Sequence, residues 1–301
     1  MNKFDPLGDK AYGKNFEGPL DWMDWIEPDY TQEDVDKVYA YLTKRDRHIY
    51  NSDLGNTSSD RLANKILLEK ALGVPVAMPS NPTFRRLGDD VMNAGATISD
   101  YGAPWYHLPK QAANLAGGAV WLAGGVLNVS GIIADVGVAA VEKVPFVRTW
   151  EPTYRDSMQL YKEALQHVMA LNDPDAVVYG WMHSEGAIHG VTILDNLSVP
   201  ELGHVRASTF GAGSYLFTSE ATVDHYGNID KWGIPDFVSG LAALNYVRNK
   251  DDVHWKTVDR IYMHDLPSYV RAHLIEDDPG KPFDGIARRY FEDNAKKVLG
   301  R

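Results

Sequence analysis

Ser184 stands between two contrasting segments. Before it runs Ala176-Val177-Val178-Tyr179-Gly180-Trp181-Met182-His183, rich in β-branched and aromatic residues; after it comes Glu185-Gly186-Ala187 and a helix-like stretch to about Leu194. Strand, sharp turn and helix with a serine at the apex is the pattern of a nucleophile elbow, which exposes the hydroxyl above a sheet and aims a helix N-terminus at it. Strand and helix nearly collide at such a turn, so small residues are needed around it, and Gly186 and Ala187 meet that need. The usual spacing is G-x-S-x-G, and Met182 stands in the place of the first glycine. The plain structural alternative is a buried strand followed by an N-capping serine.

A serine hydroxyl is a poor nucleophile at neutral pH. It needs a histidine to take its proton and a carboxylate to orient that histidine. After an elbow the partners come in the chain order acid, then histidine, each beyond a later strand. A strand around Ala221–Tyr226 is followed by Asp230, the favoured acid, with Asp236 as the alternative, placed to cap the next helix. His264 comes directly after the apolar piece Val258–Met263 and is the candidate base. For an oxyanion hole, the backbone N–H of Glu185 is the first donor, and Ser52 in the early loop Asn51–Thr57 is the candidate second.

The other histidines read as structural. His183 precedes the serine, where its ring packs in or beside the sheet, and His189 lies off the nucleophile's face of the elbow helix. His225 and His273 are lower-ranked bases. His183, Glu185 and His189 share no helical face and do not form H-E-x-x-H, so no metal site is expected. Phe210-Gly211-Ala212-Gly213-Ser214 lacks the full G-x-G-x-x-G, and there is no Walker A pattern, so no nucleotide cofactor is expected.

The elbow and the histidine motif carry a family resemblance. His183-Ser184-Glu185-Gly186 matches four of the five positions of G-H-S-x-G, and His264-Asp265-Leu266-Pro267-Ser268-Tyr269 matches H-x-x-x-x-Y. Asp230-Lys231-Trp232-Gly233-Ile234-Pro235 loosely follows a D-x-V-P turn. Over roughly residues 46–275 the chain resembles the α/β-hydrolases, in particular the lipase-like branch with the fungal-type (class 3) triacylglycerol lipases. That resemblance implies a mostly parallel sheet flanked by helices and a Ser-His-Asp hydrolase acting on carboxylic esters, with lipid esters as the leading substrate class.

These residues must be positioned by elements that the pattern supplies. Thr31 caps a helix over Gln32–Leu42, His48-Ile49-Tyr50 is a short apolar piece, and a helix is expected over Ser59–Leu72. Val74–Met78 reads as a strand, 84–97 as a helix, and Tyr154–Leu171 as a long amphipathic helix closed by Asn172-Asp173-Pro174. The elbow strand 176–181, the strand His204–Gly211, a helix over 236–247 and a polar C-terminal helix complete an α/β order, which implies a covered parallel sheet. Residues 1–43 read as an N-terminal arm and helix packed on a 44–301 domain, with an apolar insertion at about 105–145. Its stretch 111–134 carries no charge and five glycines. A buried glycine-rich helical hairpin, a lid over the site and a membrane-dipping segment all remain open for it.

Composition narrows the partners. A net charge of −11 argues against nucleic acid and against electrostatic docking to anionic lipid. The absence of cysteine excludes thiol catalysis, Cys-ligated zinc and disulfides. The N-terminus shows no basic region followed by an apolar run, so the expected location is cytoplasmic, or outside by a signal-independent route. The competing functional reading is a catalytically silent hydrolase scaffold that binds membrane or a partner through its apolar insertion.

Overall fold

A computed structural model of the chain describes residues 30–51, 58–79, 154–213, 220–230, 232–233, 236, 253–258, 264–275 and 285–300. The arm before Tyr30, Ser52, the 84–97 helix, the 105–145 insertion and the body of the 236–247 helix lie outside the described residues.

Six strands form one sheet: β1 (Arg47–Asn51), β2 (Val76–Ala77), β3 (Val178–His183), β4 (Val205–Phe210), β5 (Thr222–Ile229) and β6 (Val253–Thr257). Their order is β2-β1-β3-β4-β5-β6, and every neighbouring pair is parallel. The chain steps from β1 outward to β2, then returns past β1 to β3 and continues the other way. The sheet therefore reverses its winding between β1 and β3, and open parallel sheets bind ligands at the carboxyl ends of strands beside such a reversal.

The helices are α1 (Gln32–Arg45), α2 (Ser58–Leu72), α3 (Tyr154–Ala170), α4 (Glu185–Asp195), α5 (Val199–Leu202), α6 (Leu266–Tyr269, continued by a π-helical turn Val270–Ile275) and α7 (Ile286–Leu299). α1 starts where the sequence places it, because Thr31 and Asp34 form a reciprocal capping box. It extends to Arg45, whose guanidinium closes on the neighbouring Asp46 carboxylate at 2.6 Å. Asp46 also accepts the Val177 N–H at 3.2 Å, which ties the helix end to the start of β3.

Side chains alternate across the strands and feed two cores. Ile49, Val178, Met182, Val205 and Ala207 pack under α3 and α4; Tyr50, Trp181, Phe210 and Tyr226 pack under α1, α2, α6 and α7. Gly180, two positions before Met182 on the same face, leaves room for Tyr161 and Met182: a Cβ there would lie 2.2 Å from the Tyr161 hydroxyl and 2.9 Å from the methionine Cε.

One strand is shifted from its expected span. β3 covers Val178–His183 rather than 176–181, so Ser184 follows its last residue directly. β6, Val253–Thr257, is the sheet's edge, mostly half-buried or exposed, and so lacks an apolar run; of the apolar piece Val258–Met263 only Val258 is among the described residues. Among the described residues no helix is long and apolar enough to cross a membrane.

Candidate active site

The β3–α4 turn is sharp. Ser184 has φ 52° and ψ −115°, outside the regions a non-glycine residue ordinarily occupies. Such a conformation costs of order 1–3 kcal/mol and persists only where the surroundings enforce it. Here its N–H donates to the Phe210 carbonyl at 3.1 Å, while its own carbonyl accepts from Ala187 N–H at 3.1 Å and Gly213 N–H at 2.9 Å. Gly186 permits the turn: a Cβ there would meet the Asn51 carbonyl oxygen at 2.2 Å, so β1 and the start of α4 are in backbone contact.

The serine hydroxyl opens a series of short contacts. Ser184 Oγ lies 2.7 Å from His264 Nε2, and His264 Nδ1 lies 2.6 Å from Asp236 Oδ2. A carboxylate only accepts, so Nδ1 carries the imidazole proton and the Nε2 lone pair is left to accept from the serine. That is the tautomer a general base needs. The Asp236 side chain is 2% exposed and that of His264 27%, so the carboxylate is sealed in while the ring keeps a route to solvent. Tyr269 donates its hydroxyl to the same Asp236 oxygen at 2.6 Å.

Loop geometry decides between the two aspartates. Asp230 accepts the Trp232 N–H at 2.8 Å on its carboxylate and the Gly233 N–H at 2.9 Å on its carbonyl, making the turn that reverses the chain after β5. Asp236 then returns, its N–H donating to the Asn228 carbonyl at 2.8 Å. The favoured acid, Asp230, is thus a turn residue, and the alternative, Asp236, meets the histidine. Gly211, with φ +54°, lies against this pair: a Cβ there would be 2.8 Å from Asp236 Oδ2 and 2.9 Å from His264 Nδ1.

The remaining histidines have other attachments. His183 is fully buried and tilts against the His264 ring at 5.0 Å between centroids. Burial, and after it the neighbouring His264, push its pKa down to about 3, so it is neutral. His189 Nε2 lies 3.4 Å from the Glu185 carboxylate, one turn along α4, with both side chains buried. His225 Nδ1 meets the Thr209 hydroxyl at 2.7 Å, and His273 Nε2 donates to Asn228 Oδ1 at 3.1 Å. Among the described residues no group of three or more His, Asp or Glu could hold a metal ion. Glu185 opens α4, where a helix's first amides point out of its N-terminus toward Ser184. Ser52, the other expected donor, lies outside the described residues.

A cavity of about 720 Å³, lined by Arg45, Tyr179, Arg206, Tyr290 and Lys297 among others, opens toward the opposite, N-terminal ends of the strands. Neither Ser184, Asp236 nor His264 lines it. Sequence reasoning missed Tyr269 as a partner of the acid; its place in the His264–Tyr269 spacing was the available signal.

Fold and site together define an α/β protein whose parallel sheet carries a Ser-His-Asp series at the carboxyl ends of its strands. No family model, curated protein or solved structure matches the chain.

Proposed function

We propose that the protein is a serine hydrolase of α/β-hydrolase type acting on carboxylic esters. The observation that carries this reading is the unbroken series Ser184 Oγ–His264 Nε2 at 2.7 Å and His264 Nδ1–Asp236 Oδ2 at 2.6 Å, set on a strained strand-to-helix turn. Serine after β3, acid after β5 and histidine after β6 also follow the chain order of the α/β-hydrolases.

In this mechanism Ser184 Oγ attacks the acyl carbon as its proton passes to His264 Nε2. Asp236 holds the ring and offsets the imidazolium charge. The oxyanion sits against the Glu185 N–H at the positive end of α4. His264 then protonates the leaving alcohol, and water, deprotonated by the same ring, attacks the acyl-enzyme to release acid and free serine. Lipid esters are the leading substrate class, by the lipase-like form of the elbow and by the apolar stretch 111–134.

The test is covalent labelling with a fluorophosphonate probe, followed by hydrolysis of p-nitrophenyl esters of short and long chain. Labelling that depends on Ser184 and His264 supports the reading, and preference for long chains presented with detergent supports lipid. A folded wild type that neither labels nor cleaves any ester, with or without detergent, removes the hydrolase reading and leaves a silent scaffold.

A further inference from the structure

Asp236 meets a second side chain, Tyr269, at the oxygen it presents to His264. The tyrosine is fully buried, and its hydroxyl reaches the same oxygen, Oδ2, that meets the imidazole; both contacts are 2.6 Å. The direction of the hydrogen bond follows from its surroundings. The Asn228 N–H lies 3.4 Å from the tyrosine hydroxyl and can only donate, while the carboxylate can only accept. The phenol therefore accepts from Asn228 and has its single proton for Asp236.

Asn228 is fixed independently. Its carbonyl accepts the Asp236 N–H at 2.8 Å, and its side-chain oxygen accepts from His273 at 3.1 Å. His273 follows Tyr269 by four residues in the π-helical turn and stacks on its ring, with centroids 6.0 Å apart and planes 20° apart. π-turns are rare and recur at functional sites. This one lets Tyr269 and His273 both face the end of β5. Gly211 fills the remaining approach to Oδ2 with bare backbone.

Resting on the ester-hydrolase reading, we infer that Tyr269 is a positioning residue whose hydroxyl holds Asp236 Oδ2 on His264 and draws off part of the negative charge the imidazole feels. A carboxylate with an additional donor is a weaker base. The imidazolium formed during attack is then stabilised without being held so tightly that it fails to protonate the leaving group. Losing that donor takes one charge-assisted hydrogen bond from a sealed carboxylate.

Among the described residues, Ser184 at the elbow, His183 from β3 and Asp236 after β5 face His264, Tyr269 reaches it through Asp236, and Asp265 is its chain neighbour. His183 is neutral until far below the range in question, and exposed Asp265 is untouched by a change at Tyr269. A displaced His264 titration therefore reports the Tyr269–Asp236 contact.

The experiment follows the His264 ring by NMR with labelled histidine across pH, in wild type, in Tyr269→Phe and in protein carrying 3-fluorotyrosine at position 269. The expected midpoint moves to higher pH in Tyr269→Phe and to lower pH with the more acidic fluorophenol. Labelling by the fluorophosphonate slows ~10- to 100-fold in Tyr269→Phe, the scale of one hydrogen bond to a charged group. If Tyr269→Phe does not fold, the fluorotyrosine protein decides alone. Unmoved midpoints, or shifts of opposite sign, overturn the inference even when the wild type labels normally. Midpoints that move as expected in a protein that never labels at Ser184 uphold the Tyr269–Asp236 coupling and remove the hydrolase reading instead.

Discussion

The molecule contains two networks built from one histidine, one aspartate and one tyrosine, and they are wired differently. In the first, His48 Nδ1 accepts from Trp181 Nε1 at 3.1 Å, His48 Nε2 donates to the Tyr290 hydroxyl at 3.2 Å, and Tyr290 donates to Asp46 at 2.8 Å. In the second, the aspartate touches the ring directly and the tyrosine stands behind it. His48 has both nitrogens committed to core partners and lies beside the nearly parallel rings of Tyr179 and Trp181; burial pushes its pKa down to about 4. His264 offers its second nitrogen to a serine and keeps a path to water. Residue type is therefore no guide to role here. What separates a core histidine from a base is which atom the aspartate occupies and whether the other nitrogen faces a group with a proton to give.

The largest test of this contrast is to remove each centre. Ser184→Ala and His264→Ala are expected to lower fluorophosphonate labelling by ~10³-fold or more with the fold retained. His48→Phe is expected to do the reverse, leaving labelling within about threefold while lowering unfolding free energy by about 1–3 kcal/mol in a denaturant titration. Labelling that fell with His48 and survived without His264 would dissolve the distinction.

Next in size is the choice of acid. Asp236→Asn should slow labelling ~10²- to 10⁴-fold, since the amide reverses or weakens the hold on the His264 tautomer. Asp230→Asn, which alters a turn residue, should stay within about threefold. Equal effects from the two would contradict the loop geometry.

Gly211→Ala probes the packing that the His48 network does not share. Its Cβ would enter between Asp236 and His264 at a position with φ +54°. The expected outcome is a ~10- to 100-fold slower reaction and about 1–2 kcal/mol lost in stability. Full-speed labelling by this variant would mean that the acid and histidine have more room than the distances indicate.

A further test is in acid. His48 and His183 are held neutral, with pKa values near 4 and 3 against an ordinary 6.5. Below about pH 6.5 the unfolded chain binds protons that the folded chain refuses, so this stability is present above that pH and is lost as pH falls toward the folded values. The slope is up to about 1.4 kcal/mol per pH unit for each histidine. Unfolding curves from pH 7 to 4 should show it, and His48→Phe should flatten it by removing one of the two contributors. A slope unchanged by that variant would place the proton uptake elsewhere.

Much of the frame was legible in the chain. Thr31 announced α1, and Gln32 begins it. The step from β-branched residues to Ser184-Glu185-Gly186 announced the strand and helix of the elbow, since local steric preference suffices there. Other features were not legible. β6 is an edge strand in which only Val253 of Val253-His254-Trp255-Lys256-Thr257 is buried, so it carries no apolar signal in the sequence. Asp230 stood where a motif would put an acid, but its carboxylate closes a turn.

The sequence by itself determined the strand–turn–helix around Ser184, the alternation of elements that makes a parallel sheet, and the short list of histidines and aspartates available. Those follow from backbone preferences acting over a few residues. Tertiary structure alone decided that Asp236 rather than Asp230 reaches His264, that Tyr269 shares its oxygen, and that His48 is sealed into the core. Each is a contact across 28 residues or more, and the placement of a carboxylate depends on how loops from separate strands pack together.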